Sequence, residues 1–314
     1  MLKKHLKGNG CWIALLLLII IPAFAYRGTF LNANNIFNVL RQSSMIGVIS
    51  VGMTCVILTA GIDLSVGSTT ALAAVLAAML SYRNQYLAIL LPVCVGAIVG
   101  LVNGITVAKL KIVPFIATLA VQMAVRGIVY IITNTKSVSV SSDVTFFSQI
   151  GRGYLFVVPI PVILFALVAA VMIFVSKNTS FGRSLYAIGG NEDAARMMGI
   201  KVDRNRIAAY TLTGAFAGLA GLILCARMNA GQPTGGDGWE MDAVAAVAIG
   251  GTLLTGGVGT VEKTIAGVLI YGLIGNIINL QGNINSYVQK IIMGAIVLAV
   301  IIIQKRTQGK ENYG

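Results

Sequence analysis

Apolar residues run through this chain in blocks of about twenty, parted by short polar or glycine-rich breaks, and the period-two alternation of a half-buried strand is absent. The blocks fall at 11–26, 43–60, 66–81, 87–108, 113–133, 156–176, 207–228, 243–254, 264–280 and 288–303. A helix of such length crosses a hydrocarbon layer about 30 Å thick while satisfying its own backbone groups, which an open strand does not. The pattern predicts an all-α integral membrane protein, one transmembrane domain over residues 1–314 with about ten spanning helices, some of them discontinuous. The block at 243–254 is too short to cross alone and reads as a half-helix or as one that borrows residues from its flanks.

Two segments break the apolar pattern in a related way: TAGIDLSVGS at 59–68 and AIGGTLLTGGVGT at 248–260, one in each half of the chain. A two-fold internal repeat with a broken helix in each half would place them so. Glycine allows close backbone approach there, and hydroxyls satisfy amides released from helical bonding. An ionised carboxylate at the bilayer centre costs about 3 kcal/mol unless paired or wet, which sets Asp63 apart. Two readings of it stand side by side: a cap for the helix that follows, or part of a gate near the cytoplasmic end of a pathway. The candidate pathway or gate residues are Gly61, Asp63, Ser65, Asn103 and Thr252. Gly96, Gly100 and Gly104, like Gly214 and Gly218, recur every four residues and predict helix-packing faces. The segment 229–242, with Asp237, Trp239, Glu240 and Asp242, reads as a solvated outer loop or as a surface for a soluble outer partner.

Composition confirms the class: 57% of residues are hydrophobic and 11% charged, with a mean hydropathy of +0.87, outside the soluble range. The net charge of +13 is read first as topology. With the first residue inside, the inner segments carry Lys3, Lys4, Lys7, Lys109, Lys111 and the basic residues of 177–206, against a sparser outer set such as Arg27, Arg83 and Lys136. Basic residues stay on the cytoplasmic side, so both termini and the 177–206 segment are expected in the cytoplasm of a bacterial inner membrane. Attraction to lipid headgroups accounts for the remainder, and no nucleic-acid partner is required. The first block ends Ala23-Phe24-Ala25, as a cleavable signal does, but its length favours an uncleaved helix. Cys11, Cys55, Cys94 and Cys225 lack CxxC spacing and His5 is the sole histidine, so neither a metal site nor a catalytic constellation is expected. The glycine spacing at 251–256 imitates a phosphate-binding loop, yet Gly257-Val258 stand where Lys and Ser or Thr are required. Any ATP and magnesium must be handled by another chain.

The longest polar interruption, 177–206, offers about thirty residues to the water and reads as a docking element. Gly189 and Gly190 predict a bend. Asn191 is placed to cap a short helix, Glu192 and Asp193 suit its positive end, Ala195 lies on it, Arg196 suits its negative end, and Gly199 stops it. About two turns are not stable alone in water, so the helix must be held by its own domain or by a partner. A plain solvated loop with one helical turn is the competing reading.

The segments Gly52-Met53-Thr54, 61–68, Asn103-Gly104, Pro114 to Leu119, Gly189 to Gly199, Asp242 to Ala246 and Ile249 to Thr252 resemble, in the same order, the permease subunits of bacterial ATP-binding-cassette importers for monosaccharides of the ribose, galactose and xylose type. The likeness runs from about Met45 to the carboxy terminus. It implies a permease that is itself no enzyme and carries no cofactor, paired with a second permease chain, cytoplasmic ATPase subunits and a periplasmic sugar-binding protein. It also implies that 181–200 is the coupling helix seated in the ATPase. Relatives often carry two glycines where this chain has Ala60-Gly61, and Ser-Gly-Gly where it has Thr255-Gly256-Gly257. These small-for-small changes leave the sugar open. An ion-coupled secondary transporter is the alternative, with Asp63 and Arg126 as its few intramembrane ionisable groups.

Overall fold

A computed structural model describes residues 2–282 and 285–311. Among them the chain forms α1 (Leu2–Ala25), α2 (Ala33–Leu58), α3 (Val66–Ser81), α4 (Gln85–Ala108), α5 (Pro114–Thr133), α6 (Thr145–Arg152), α7 (Ile160–Asn178), α8 (Ser180–Gly190), α9 (Glu192–Met197), α10 (Val202–Met228), α11 (Trp239–Ile249), α12 (Val261–Leu280) and α13 (Ser286–Glu311). Two minimal antiparallel ribbons join loops: β1 (Val138–Ser139) with β4 (Ala230–Gly231), and β2 (Tyr154–Leu155) with β3 (Val158–Pro159).

Six helices, α2, α4, α5, α7, α10 and α12, are long and apolar enough to cross a membrane, and residues 10–25, 66–81 and 288–302 form shorter apolar helices. Of the block at 243–254 only the residues up to Ile249 are helical, in α11, which has 11 residues. It stops there because Gly251 turns to φ +92°, a conformation that cannot continue a right-handed helix. Local chemistry sets the starts: Asn84 accepts the amides of Tyr86 and Leu87 at the head of α4, and Pro114 opens α5.

α2 is the central element, with every residue from Ser43 to Leu58 buried. Ser44, Ser50 and Thr54 each donate to the carbonyl four residues back, and the Thr54 and Thr264 hydroxyls bridge α2 to α12 at 2.8 Å. Outward faces are apolar instead, with Leu90, Ile98, Met123, Ile131, Leu167 and Phe174 exposed as lipid-facing side chains.

The two glycine stripes meet each other. A methyl group at Gly96 would strike the backbone of Gly214 and Gly218, one at Gly100 that of Tyr210, and one at Gly104 that of Ile207. α4 and α10 therefore pack backbone to backbone, the small-residue contact expected of both.

The segment 229–242 departs from a solvated loop. Gly231, Pro233, Gly235 and Gly236 are buried, and Arg126 of α5 donates to the carbonyls of Pro233 at 2.7 Å and Gly235 at 3.1 Å. Glu240 is only 7% exposed and accepts from Gln122 at 3.2 Å. The signal was the run of small residues before Trp239, which lets the chain lie flat on α3, where a side chain at Gly231 would strike the α3 backbone. Arg126 is thereby a clamp on a loop.

Candidate functional site

The first break begins where α2 ends. Ala60 sits at φ +57°, in the left-handed region that glycine adopts without cost. The chain then crosses beneath Tyr210, whose hydroxyl donates to the Ile62 carbonyl at 3.2 Å. Gly61 has no room for a side chain against that hydroxyl. Asp63 is fully buried, and its Oδ1 collects three donors: the Ser65 amide at 2.9 Å, the Ser65 hydroxyl at 2.7 Å and Asn103 Nδ2 at 3.2 Å. Asn103 also donates to the Ser65 hydroxyl at 2.7 Å. Asp63 therefore organises the entry to α3, two residues before the formal cap position, and ties it to α4.

The second break, 250–260, is held differently. Gly251, Gly256, Gly257 and Gly259 all have positive φ. Thr252 is buried, its amide bonded to the Val247 carbonyl at 3.2 Å, and a side chain at Gly259 would collide with it. The sequence-predicted pathway residues thus separate into two groups, Gly61, Asp63, Ser65 and Asn103 at one break and Thr252 at the other, all five of them buried.

The two breaks meet. The Gly257 amide donates to the Leu58 carbonyl at 3.0 Å, and Gly256 lies against Ala60. Both face the end of α8: a methyl at Gly189 would overlap the Leu58 carbonyl and the Gly257 backbone, and Tyr186 donates to the Gly259 carbonyl at 3.0 Å. Gly189 is a close-packing residue inside a helix, which corrects the expectation of a bend at Gly189-Gly190. The bend falls at Asn191, in extended backbone. Residues 180–190 form α8, the first part of the 181–200 element, because Leu185 and Ile188 bury themselves against the domain.

α9 forms as expected. Asn191 Oδ1 accepts the Ala194 amide at 2.9 Å, and Gly199 turns away at φ +80°. Its own domain holds it in place. Ala195 packs with Ile188 and Val202 in a small buried cluster, and charges tie the rim. Arg206 bridges Glu192 at 2.8 Å and the Thr59 carbonyl at 3.4 Å, while Arg196 pairs with Glu192 at 2.9 Å and Asp203 at 2.5 Å, and Lys111 with Asp203 at 3.1 Å. The Arg206 guanidinium, aided by Arg196, holds the Glu192 carboxyl below its usual value. Arg196 is thus occupied within the clamp, whereas Gly190 has open space around it and Met197 and Met198 are 83% and 70% exposed. The signal for this methionine pair in the sequence is its place directly after Arg196, just before the Gly199 stop. No group of three or more His, Cys, Asp or Glu able to hold a metal occurs among the described residues.

A buried helical frame, two glycine-rich breaks in mutual contact and an interfacial helix pair resting on both define a multi-pass membrane permease. The chain belongs to the family described as branched-chain amino acid transport system / permease component, which matches residues 35–301. It is 40% identical over 310 residues to the ribose import permease protein RbsC of Escherichia coli K12, covering 98% of this chain and 96% of that one. It is 41% identical over 299 residues to RbsC of Bacillus subtilis strain 168, 95% and 92% of the two chains. With the xylose transport system permease protein XylH of Haemophilus influenzae it shares 34% over 367 residues, 95% and 97% of the two chains. No solved structure matches.

Proposed function

We propose that this chain is the membrane-spanning subunit of an ATP-driven importer and forms the pathway for a monosaccharide or similar small polyol. In this reading a periplasmic binding protein delivers the sugar, a second permease chain completes the pathway in the inner membrane with both termini cytoplasmic, and a separate cytoplasmic ATPase binds ATP and magnesium. The observation that carries it is the seat of α8–α9 on both breaks at once, through Gly189, Tyr186 and Arg206. A push on that pair reaches the end of α2, the approach to α3 and the loop before α12 together, as a two-state rigid-body switch requires. The sugar class is supported by similarity to ribose and xylose permeases along nearly the whole chain. Gly61, Asp63, Ser65, Asn103 and Thr252 then act as the packed hinge of the gate.

The test is co-purification from the native host with uptake of labelled ribose. Met197→Asp and Gly190→Leu, which touch open space, are expected to lose a stoichiometric ATPase and uptake while the protein inserts normally. Uptake that survives ATP depletion but collapses with ionophores would instead establish an ion-coupled transporter.

A further inference from the structure

We propose that the cavity between the end of α4 and the first turn of α10, at the edge of the α8–α9 element, binds the phosphate headgroup of an anionic phospholipid. Its volume is about 470 Å³, enough for a headgroup. Lys109, Lys201 and Arg204 line it, together with the Arg196–Asp203 pair, over apolar Ile200 and Ile207. Four cations thus face one carboxylate. Arg196, Lys111 and Arg206 share the two carboxylates Glu192 and Asp203. Lys109, Lys201 and Arg204 are exposed and form no ion pair with any described residue, so the charge left over is concentrated on this cavity.

Two further features give the ligand its chemistry. α10 begins with no side-chain cap at Lys201, and amides of its first turn, with the positive end of a 27-residue helix behind them, favour an anion. Beside Lys109, the apolar side chains of Ile105, Leu110, Ile112 and Val113 are exposed along the α4–α5 connection. A charged head over the cavity and acyl chains against that apolar strip satisfy both, which a free phosphate does not. Basic pockets at the ends of membrane helices hold acidic headgroups for the same reason.

The experiment uses the delipidated full-length chain in mild detergent, titrated with phosphatidylglycerol, phosphatidylcholine and inorganic pyrophosphate, with bound lipid counted by native mass spectrometry. Phosphatidylglycerol is expected to be retained and to raise the thermal midpoint. The triple variant Lys109→Gln, Lys201→Gln, Arg204→Gln should bind it on the order of a hundredfold more weakly, about fivefold per charge. The charge-keeping set Lys109→Arg, Lys201→Arg, Arg204→Lys should restore it. Should the triple variant prove unstable in phosphatidylcholine, Arg204→Gln alone should show the fivefold loss. Equal retention in the variants, no preference over phosphatidylcholine, or full displacement by pyrophosphate would each overturn the assignment to a lipid.

Discussion

The two breaks do similar work by opposite means. At 59–65 the chain is fixed by side chains, a buried carboxylate gathering a hydroxyl, an amide and the Asn103 carboxamide. At 250–260 the path is set chiefly by backbone, through four glycines at positive φ with Tyr186 of α8 holding the Gly259 carbonyl, in a loop whose buried Thr252 hydroxyl has no hydrogen-bond partner among the described residues. A break held by side chains rejects changes that remove its hydrogen bonds but tolerates extra methyls where space allows. A glycine break tolerates polarity changes and rejects any Cβ. Their contact through Leu58 and Gly257 means that failure of either loosens the seat of α8.

The largest effect is expected at the glycine break. Gly257→Val places a β-branched side chain at φ +73° and against the Gly189 and Gly190 backbone. Left-handed strain and overpacking together cost about 3 to 5 kcal/mol, so the variant should fail to yield monodisperse protein in detergent chromatography. Normal yield and thermal midpoint would show that the loop is not locked by its backbone. At the other break, Asp63→Ala strands three buried donors and should cost about 3 kcal/mol. Asp63→Asn keeps an acceptor at Oδ1 and should cost about 1 kcal/mol, with transport retained. If Asp63→Asn inserts and is stable but abolishes uptake, the carboxylate has a gating role beyond its structural one.

Ala60 is where the first break borrows the method of the second. Its left-handed backbone predicts that Ala60→Gly stabilises, by about 0.5 kcal/mol after the greater freedom of the unfolded glycine is subtracted. A lowered thermal midpoint would mean that the methyl contact with Gly256 matters more than the strain.

Much of this was legible from the chain. Apolar blocks located the helices because burial and lipid both demand them, and α3 begins and ends where its block does. The cap chemistry of α9 was readable because Asn191, Glu192, Arg196 and Gly199 act on neighbours in sequence. What could not be read were contacts between distant segments: Gly189 looked like a bend because its partners, Leu58 and Gly257, lie far off along the chain. Asp203 and Arg206 were visible only as charges until folding set them around Glu192. The burial of Gly231, Pro233, Gly235 and Gly236 was hidden for the same reason, since Arg126 belongs to α5.

A further small effect concerns the charges that tie α9 to the breaks. Glu192 has its carboxyl pKa lowered from 4.5, first by Arg206 and then by Arg196. A group depressed on folding lends stability above its unfolded value and withdraws it as the pH falls through the folded one. The clamp is therefore whole at neutral pH and loosens below about 4.5. Because the pairs are partly exposed, solvent screening limits the whole effect to about 1 kcal/mol or less. Hydrogen exchange of the α9 amides at pH 7 and pH 4, corrected for intrinsic rates, should show a few-fold more frequent opening at the lower pH. Glu192→Gln should open more often than the parent at pH 7 and change less on acidification. Identical pH profiles for the two would place the hold on α9 in the buried contacts of Ile188, Ala195 and Val202 instead, and the charged rim would then be a guide to α9's orientation with little share in its stability.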